Sequence, residues 1–407
     1  MRSLLLIGAF WLGAAPLIAQ LRPPRVPSPP AAGDAKGRAG ARGDERELTE
    51  LPKFTPVPAP PLQGLAQKQF FWFTMYPDFV VQYDPDTDTV AKKVKLQHGL
   101  FWNTTLTHDR KRLLVVTGQQ RVVEVVDLAA GAVTATHSFD EEGLILRLRD
   151  VRELPGGLHW LLRFDRVKKQ VDRYSFEPAQ WWLYDVEKKQ ATKKFAKLPE
   201  ALERGAQLLP DGATWQGQDD EGNLLLLDGQ KLTEQGRIDL RTQRYFGAGA
   251  IRLTGQDLLD RRDPGRLRML FTSNDPVEKS RSTWGIVELD LVQKSITEVV
   301  EFGPSQNTWG LRIAPRKLVA AAMTGSFGER DQKARLLMYD LRTGQKIAES
   351  YEEFRPRRSL VAIAPDGDKF YIGVAGSDFE VFDAQCRRLK TVELEGEIAG
   401  RIYTIDG

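Results

Sequence analysis

Two apolar phrases alternate along most of the chain. In the first, an apolar strand closes on an aspartate, a short turn follows, and another apolar strand leaves. The closing residues are Asp84, Asp127, Asp185, Asp228, Asp290, Asp340 and Asp383. Aspartate suits this place because its side chain can cap its own turn backbone. In the second phrase an apolar strand meets a Pro-Asp-Gly type turn and then a strand rich in β-branched and aromatic residues. Residues 360–374 hold the best copy, residues 208–212 and 154–162 hold others, and residues 107–116 hold a degraded one.

Alternation of the two phrases gives four strands per unit, here termed a to d. The seven aspartates are spaced 43, 58, 43, 62, 50 and 43 residues apart. A basal period of 43 with four short strands is the signature of a β-propeller blade, and a β-sandwich predicts no such repeat. The first unit lacks strand a and begins at strand b with Gln69-Phe70-Phe71-Trp72-Phe73, while the chain ends on an unpaired strand, residues 401–407. Joining the end to the start reads Asp406-Gly407 and then Lys68-Gln69-Phe70-Phe71, much like Asp366-Gly367-Asp368-Lys369-Phe370-Tyr371. The expected fold is therefore all-β: a seven-bladed β-propeller of four-stranded antiparallel blades, the first blade closed by the C-terminal strand.

The N-terminal residues break this pattern. Met1-Arg2-Ser3 is a basic start, and residues 4–19 are uncharged and apolar, short of the roughly 20 needed to span a bilayer. Residues 1–19 read as a cleaved signal peptide, which places the protein in the periplasm or outside the cell. Residues 20–66 carry ten of the 23 prolines and read as a disordered Pro-rich spacer, with two helical turns possible at 44–51. The propeller domain is expected over 67–407.

Composition then narrows the chemistry. The net charge of +3 is carried by residues 1–53, with eight Lys/Arg and five Asp/Glu, so the rest sums to zero and nucleic-acid binding loses its support. The single cysteine, Cys386, excludes an intrachain disulfide framework and a Cys-built zinc site. Four histidines form no cluster suited to a metal, and no Gly-x-Ser-x-Gly elbow is present. Asp84, Asp86 and Asp88 begin like a calcium loop, but Thr89 and Lys95 stand at the sixth and twelfth positions, so this is a strand c–d turn. No metal and no cofactor is expected.

Residues 359–394, 100–139 and 311–350 resemble the blade repeat of secreted bacterial propellers of the YVTN type. These are similar to the large subunits of periplasmic amine dehydrogenases and to lactonase-type propellers. The resemblance implies the fold over residues 68–407 and carries over no catalytic residue.

Long spacings locate the enlarged loops at residues 163–178, 257–282 and 325–335, all assigned here to b–c connections. In a propeller the b–c and d–a connections share one face, which makes that face the expected site. Arg147, Arg252, Arg312, Arg358 and Arg401 lie on or just before strand a, which lines the channel, and planar guanidinium groups suit an anion. His98, Trp102 and Trp309, placed in d–a connections, are the candidate aromatic rim, with ordinary interblade packing as the alternative. The expected function is a binding or scaffold propeller for an anionic ligand or a protein partner. The alternative is a propeller enzyme, or a non-catalytic subunit of one that is amine-dehydrogenase-like or lactonase-like. A buried acid–Arg–His group at the channel mouth would favour the enzyme.

Overall fold

The computed structural model describes residues 47–60, 68–203, 206–241, 250–253, 265–274, 282–304, 308–314, 319–325, 334–340, 343–350, 360–373 and 376–407. The alternating apolar phrases become strands paired with their sequence neighbours. The first three are β1 (Gln69–Met75), β2 (Phe79–Asp84) and β3 (Thr89–Lys95). The second sheet holds β4 (Asn103–Leu106), β5 (Arg112–Thr117), β6 (Val122–Asp127) and β7 (Ala132–Ser138). The third holds β8 (Ile145–Glu153), β9 (His159–Lys169), β10 (Tyr174–Asp185) and β11 (Gln190–Phe195). After a short helix, α1 (Glu200–Glu203), the fourth holds β12 (Gln207–Leu208), β13 (Thr214–Gln218), β14 (Leu224–Asp228) and β15 (Glu234–Ile238). The fifth holds β16 (Ile251–Leu253), β17 (Arg266–Asn274), β18 (Ser282–Asp290) and β19 (Ser295–Pro304). The sixth holds β20 (Thr308–Ile313), β21 (Val319–Gly325), β22 (Ala334–Asp340) and β23 (Lys346–Glu349). The seventh holds β24 (Leu360–Ile363), β25 (Lys369–Gly373), β26 (Asp378–Asp383) and β27 (Arg388–Glu393). The last strand, β28 (Ile398–Asp406), returns to pair with β1 and completes the first sheet in the order β28-β1-β2-β3.

The described strands thus form seven four-stranded sheets, antiparallel throughout, and the fold is an all-β propeller of four-stranded blades. Its apolar cores lie between neighbouring sheets. Phe71, Phe73 and Tyr83 of the first sheet pack on Tyr371, Phe379 and Val381 of the seventh. Trp160, Leu162 and Phe164 of the third pack on Leu114, Val116 and Val125 of the second. First strands touch first strands of adjacent sheets: β4 meets β8, β20 meets β24, and β28 sits between β24 and β4. The expected closure is observed. Asp406 faces Gln69, whose amide donates to its carboxylate at 2.5 Å, and Gly407 N–H donates to the Lys68 carbonyl at 2.8 Å.

Every repeat aspartate caps its own turn. Asp84, Asp127, Asp185, Asp228, Asp290, Asp340 and Asp383 each accept a backbone N–H two or three residues on, at 2.8 to 3.2 Å. The chain then turns left-handed, at Asp88, Gly131, Lys189, Leu232, Lys294 and Gly344, four residues after the aspartate, and at Cys386, three after. One turn geometry therefore recurs in six of the seven sheets, and the seventh uses a turn one residue shorter.

Residues 47–60 correct the expected spacer. No helix forms over 47–51; the segment is an irregular arm that docks on the propeller. Leu48 and Leu51 are buried with Leu198, Leu202, Trp215 and Leu232. Leu48 N–H donates to the Lys197 carbonyl at 3.3 Å, Leu51 N–H to Gln230 at 2.8 Å and Ala59 N–H to Pro210 at 2.7 Å. Two leucines among many prolines looked too few to offset ordering, but prolines have little freedom to lose and their missing donors need no partner. The signal segment and residues 20–46 lie outside the described residues.

Candidate functional site

The strand registers rank the predicted residues by height along the channel. In each sheet strand b climbs from the repeat aspartate toward the b–c connection. Arg147 on β8 faces Asp165, six residues above His159, which pairs with Asp185. Arg252 on β16 faces Thr272, six residues above Arg266, which pairs with Asp290. These two arginines stand at one level, both exposed. Trp102 is close to that level, since its N–H donates to the Val116 carbonyl at 2.8 Å, and its side chain is 58% exposed. Exposure of that size corrects the packing alternative for Trp102: the indole belongs to the surface of this face.

The other arginines do not join this tier. Arg312 on β20 faces Ala321, only two residues above Val319, which pairs with Asp340. At about 3.3 Å per residue that is roughly 13 Å lower. Arg401 lies in the irregularity of β28 opposite Trp72 and Thr74, between the two levels. Trp309 sits inside β20 rather than in a connection. Arg358 lies outside the described residues.

His98 is in the connection from β3 to β4 as expected, and its neighbour explains why. Glu124 on β6 is fully buried, and its carboxylate accepts Gln97 N–H at 2.7 Å, His98 N–H at 2.9 Å and the Thr117 hydroxyl at 2.9 Å. The His98 ring lies 3.3 Å from the same carboxylate. Glu124 therefore fixes the connection that leads to Trp102. Sequence reasoning passed over it, although a lone glutamate inside the Val122–Asp127 run was the available signal.

Two loop assignments change. Residues 163–178 are not an irregular loop; they extend β9 and β10 into a long hairpin, with Lys169 facing Tyr174 at its end. The second insertion is interrupted by β17, a strand b, so it is not a single b–c connection. Both segments flanking β17 lie outside the described residues. Arg266 and Arg268 are on β17 itself and pair with the buried carboxylate of Glu288. Burial alone would push Glu288 up, but hydrogen bonds from Arg268 and Arg266 outweigh it and hold its pKa low.

A buried acid–Arg–His group does exist, but among the a–b turns, beneath the arm. Glu153 accepts His108 backbone N–H at 2.6 Å, with Arg112 Nη2 at 3.5 Å. Burial raises the Glu153 pKa and lowers that of His108. The His108 side chain hydrogen-bonds the Val57 backbone, and Nε2 has no partner. The acid thus binds backbone and the imidazole binds the arm, which holds them as structure rather than as an acid–base pair. Elsewhere, a cavity of about 550 Å³ opens between β3 and β27, lined by Asp88, Lys92, Lys93, Val392 and Glu395. No cluster of metal-ligating side chains occurs among the described residues.

No protein-family model matches the chain, and no curated protein does. Solved structures do resemble it. A protein of unknown function from Desulfotomaculum acetoxidans is 13% identical, with 83% of this chain and 99% of that one covered at a TM-score of 0.48. The dihydro-heme d1 dehydrogenase NirN is 14% identical, with 85% and 77% covered at 0.45. BamB from Moraxella catarrhalis is 13% identical, with 86% and 94% covered at 0.38. At such identities none of their chemistry transfers to this chain.

Proposed function

We propose that the chain is a secreted or periplasmic binding or scaffold propeller that takes an anionic ligand, or an acidic protein partner, on the face carrying its b–c and d–a connections. In this reading the seven sheets are the blades of one closed ring of the YVTN-like kind, behind a signal peptide at residues 1–19. One observation carries it: Arg147 and Arg252 stand at the same height on two first strands, exposed, with the exposed indole of Trp102 near their level. Guanidinium forks at a channel mouth suit carboxylate or phosphate. An enzyme remains the second reading, favoured only by the Glu153–Arg112–His108 group, which the arm covers. Titration calorimetry with citrate and with inorganic phosphate tests the binding reading. Replacing both Arg147 and Arg252 by alanine should weaken the stronger of the two at least about tenfold, the loss of one charged hydrogen bond. Equal affinity, or no binding by the native chain, overturns it.

A further inference from the structure

The third sheet carries a finger. β8 leaves β9 at Val167 and β11 leaves β10 at Trp181, but the pairing of β9 with β10 runs on to Lys169 and Tyr174. Gln170 N–H closes the tip on the Arg173 carbonyl at 2.8 Å. A bare two-stranded ribbon gains little from packing, so its side chains are free to serve another surface. Apolar side chains at its tip and base turn outward: Val171 is 107% exposed and Tyr174 59% on the bare ribbon, and Phe176 66% at its base, opposite Val167 where β8 still pairs. Solvent-facing apolar residues gathered this way mark an interaction site.

Charge says what kind. Lys168, Lys169 and Arg173 are exposed among these residues, against Asp172 at the tip and Glu177 at the base of the ribbon, where it faces Arg166. Arg173 donates to Gln170 at 2.7 Å, and neither lysine has an ion pair among the described residues. All six side chains fall within roughly 10 Å of the tip, at about 3.3 Å per residue. An element that mixes apolar and cationic groups at one depth matches a bilayer interface, where acyl chains and phosphates meet within about 5–10 Å. A protein pocket would instead want them sorted into a greasy centre and a charged rim. We propose that this finger docks the propeller on an anionic lipid surface, with Val171, Tyr174 and Phe176 entering the headgroup layer and Lys168, Lys169 and Arg173 meeting lipid phosphates. This goes beyond the anion-binding channel, whose arginines take no part.

Cys386 is buried, so a cysteine introduced at the tip labels selectively. The full chain carrying Val171→Cys and an environment-sensitive fluorophore is mixed with phosphatidylcholine vesicles, with and without about one third phosphatidylglycerol. Emission should rise severalfold and shift blue on the anionic vesicles alone, and fall as salt screens the lysines. Each cation near an anionic leaflet contributes roughly a factor of five, so reversing all three to glutamate should weaken partitioning more than about a hundredfold. The same label at Val292, exposed in the turn after Asp290, should stay dark. Attachment through residues 1–19 leaves the tip label dark too, so the readout belongs to the finger. A dark label at 171, an equal response on uncharged vesicles, indifference to charge reversal, or capture of an acidic protein without vesicle binding overturns the proposal.

Discussion

The hydroxyl of Tyr371 donates to the carboxylate of Asp88 at 2.6 Å, across 283 residues of sequence and the seam between the first and last sheets. Lys390 reaches the same carboxylate at 2.8 Å and Lys369 at 3.2 Å. Burial pushes Asp88 up, but hydrogen bonds from Lys390, Tyr371 and Lys369 outweigh it and hold the carboxyl below its usual range. Asp88→Asn keeps a residue tolerant of the left-handed turn and removes the charge. It should cost about 2 kcal/mol, read as a lower urea midpoint at unchanged slope. Because the folded pKa is lowered, this contribution is present above the ordinary carboxylate pKa and fades as pH falls through the folded value. The variant should therefore lose less stability than the native chain on acidification. A midpoint unchanged within error would mean the latch contributes nothing.

The seam has a second fastening in β28. Removing residues 400–407 strips Ile402 and Ile405 from their cores and bares the edge of β1. The truncated chain should lose its cooperative thermal transition. Ile405→Ala, the milder change, should cost about 2–4 kcal/mol as a buried large-to-small substitution. A truncation that melts within a degree of the full chain would show that the ring does not need this strand.

The chain displays its local signals and hides its distant contacts. The seven aspartates, their strands and the end-to-start pairing were legible because each rests on period-two apolar alternation and one turn residue. The left-handed position after each aspartate was marked by glycine only at Gly131 and Gly344, and by Asp, Lys, Leu or Cys elsewhere. Those residues pay for their strain with contacts that sequence does not display. The arm was missed for a related reason: Leu48 and Leu51 acquire meaning only beside Trp215 and Leu232, far away in the chain. Of the site, residue types on strand a were readable and their heights were not, because height depends on register and on bulges such as the one beside Arg401.

Gly212 is where the arm is most exposed to a single atom. It has φ +68, and a Cβ there would overlap the Val57 carbonyl oxygen. Gly212→Ala meets both a disfavoured backbone and a clash with main chain, so the arm must lift near Val57. Trypsin should then cut after Lys53 at least about tenfold faster, since an opening cost lowered by 1.4 kcal/mol raises the open fraction tenfold. An unchanged cleavage rate would show that the arm is held elsewhere.

Lys189 tests the recurring turn. It stands at φ 52, four residues after Asp185, where a side chain costs about 1 kcal/mol. Lys189→Gly should therefore gain up to about 1 kcal/mol despite glycine's greater freedom when unfolded. The same exchange at a right-handed position of an exposed turn should only lose stability. Destabilisation at 189 would mean that its contact with the Thr136 carbonyl matters more than the backbone strain.

His137 should set the acid limit of the fold. It is 3% exposed between the second and third sheets, with Nδ1 3.0 Å from the Tyr184 hydroxyl and its ring against Trp160. Burial, with a smaller effect from Lys189, lowers its pKa to about 4. The unfolded chain takes up this proton below about 6.5. Between the two values the unfolded state holds more protons, so stability declines as pH falls from about 6.5 to 4, by at most about 3 kcal/mol. His137→Gln keeps a partner for Tyr184 and does not titrate. Its urea midpoint should therefore fall less than that of the native chain between neutral pH and pH about 4.5, where most of the linkage has been spent. Parallel declines in the two proteins would show that groups other than His137 set the acid sensitivity in this range.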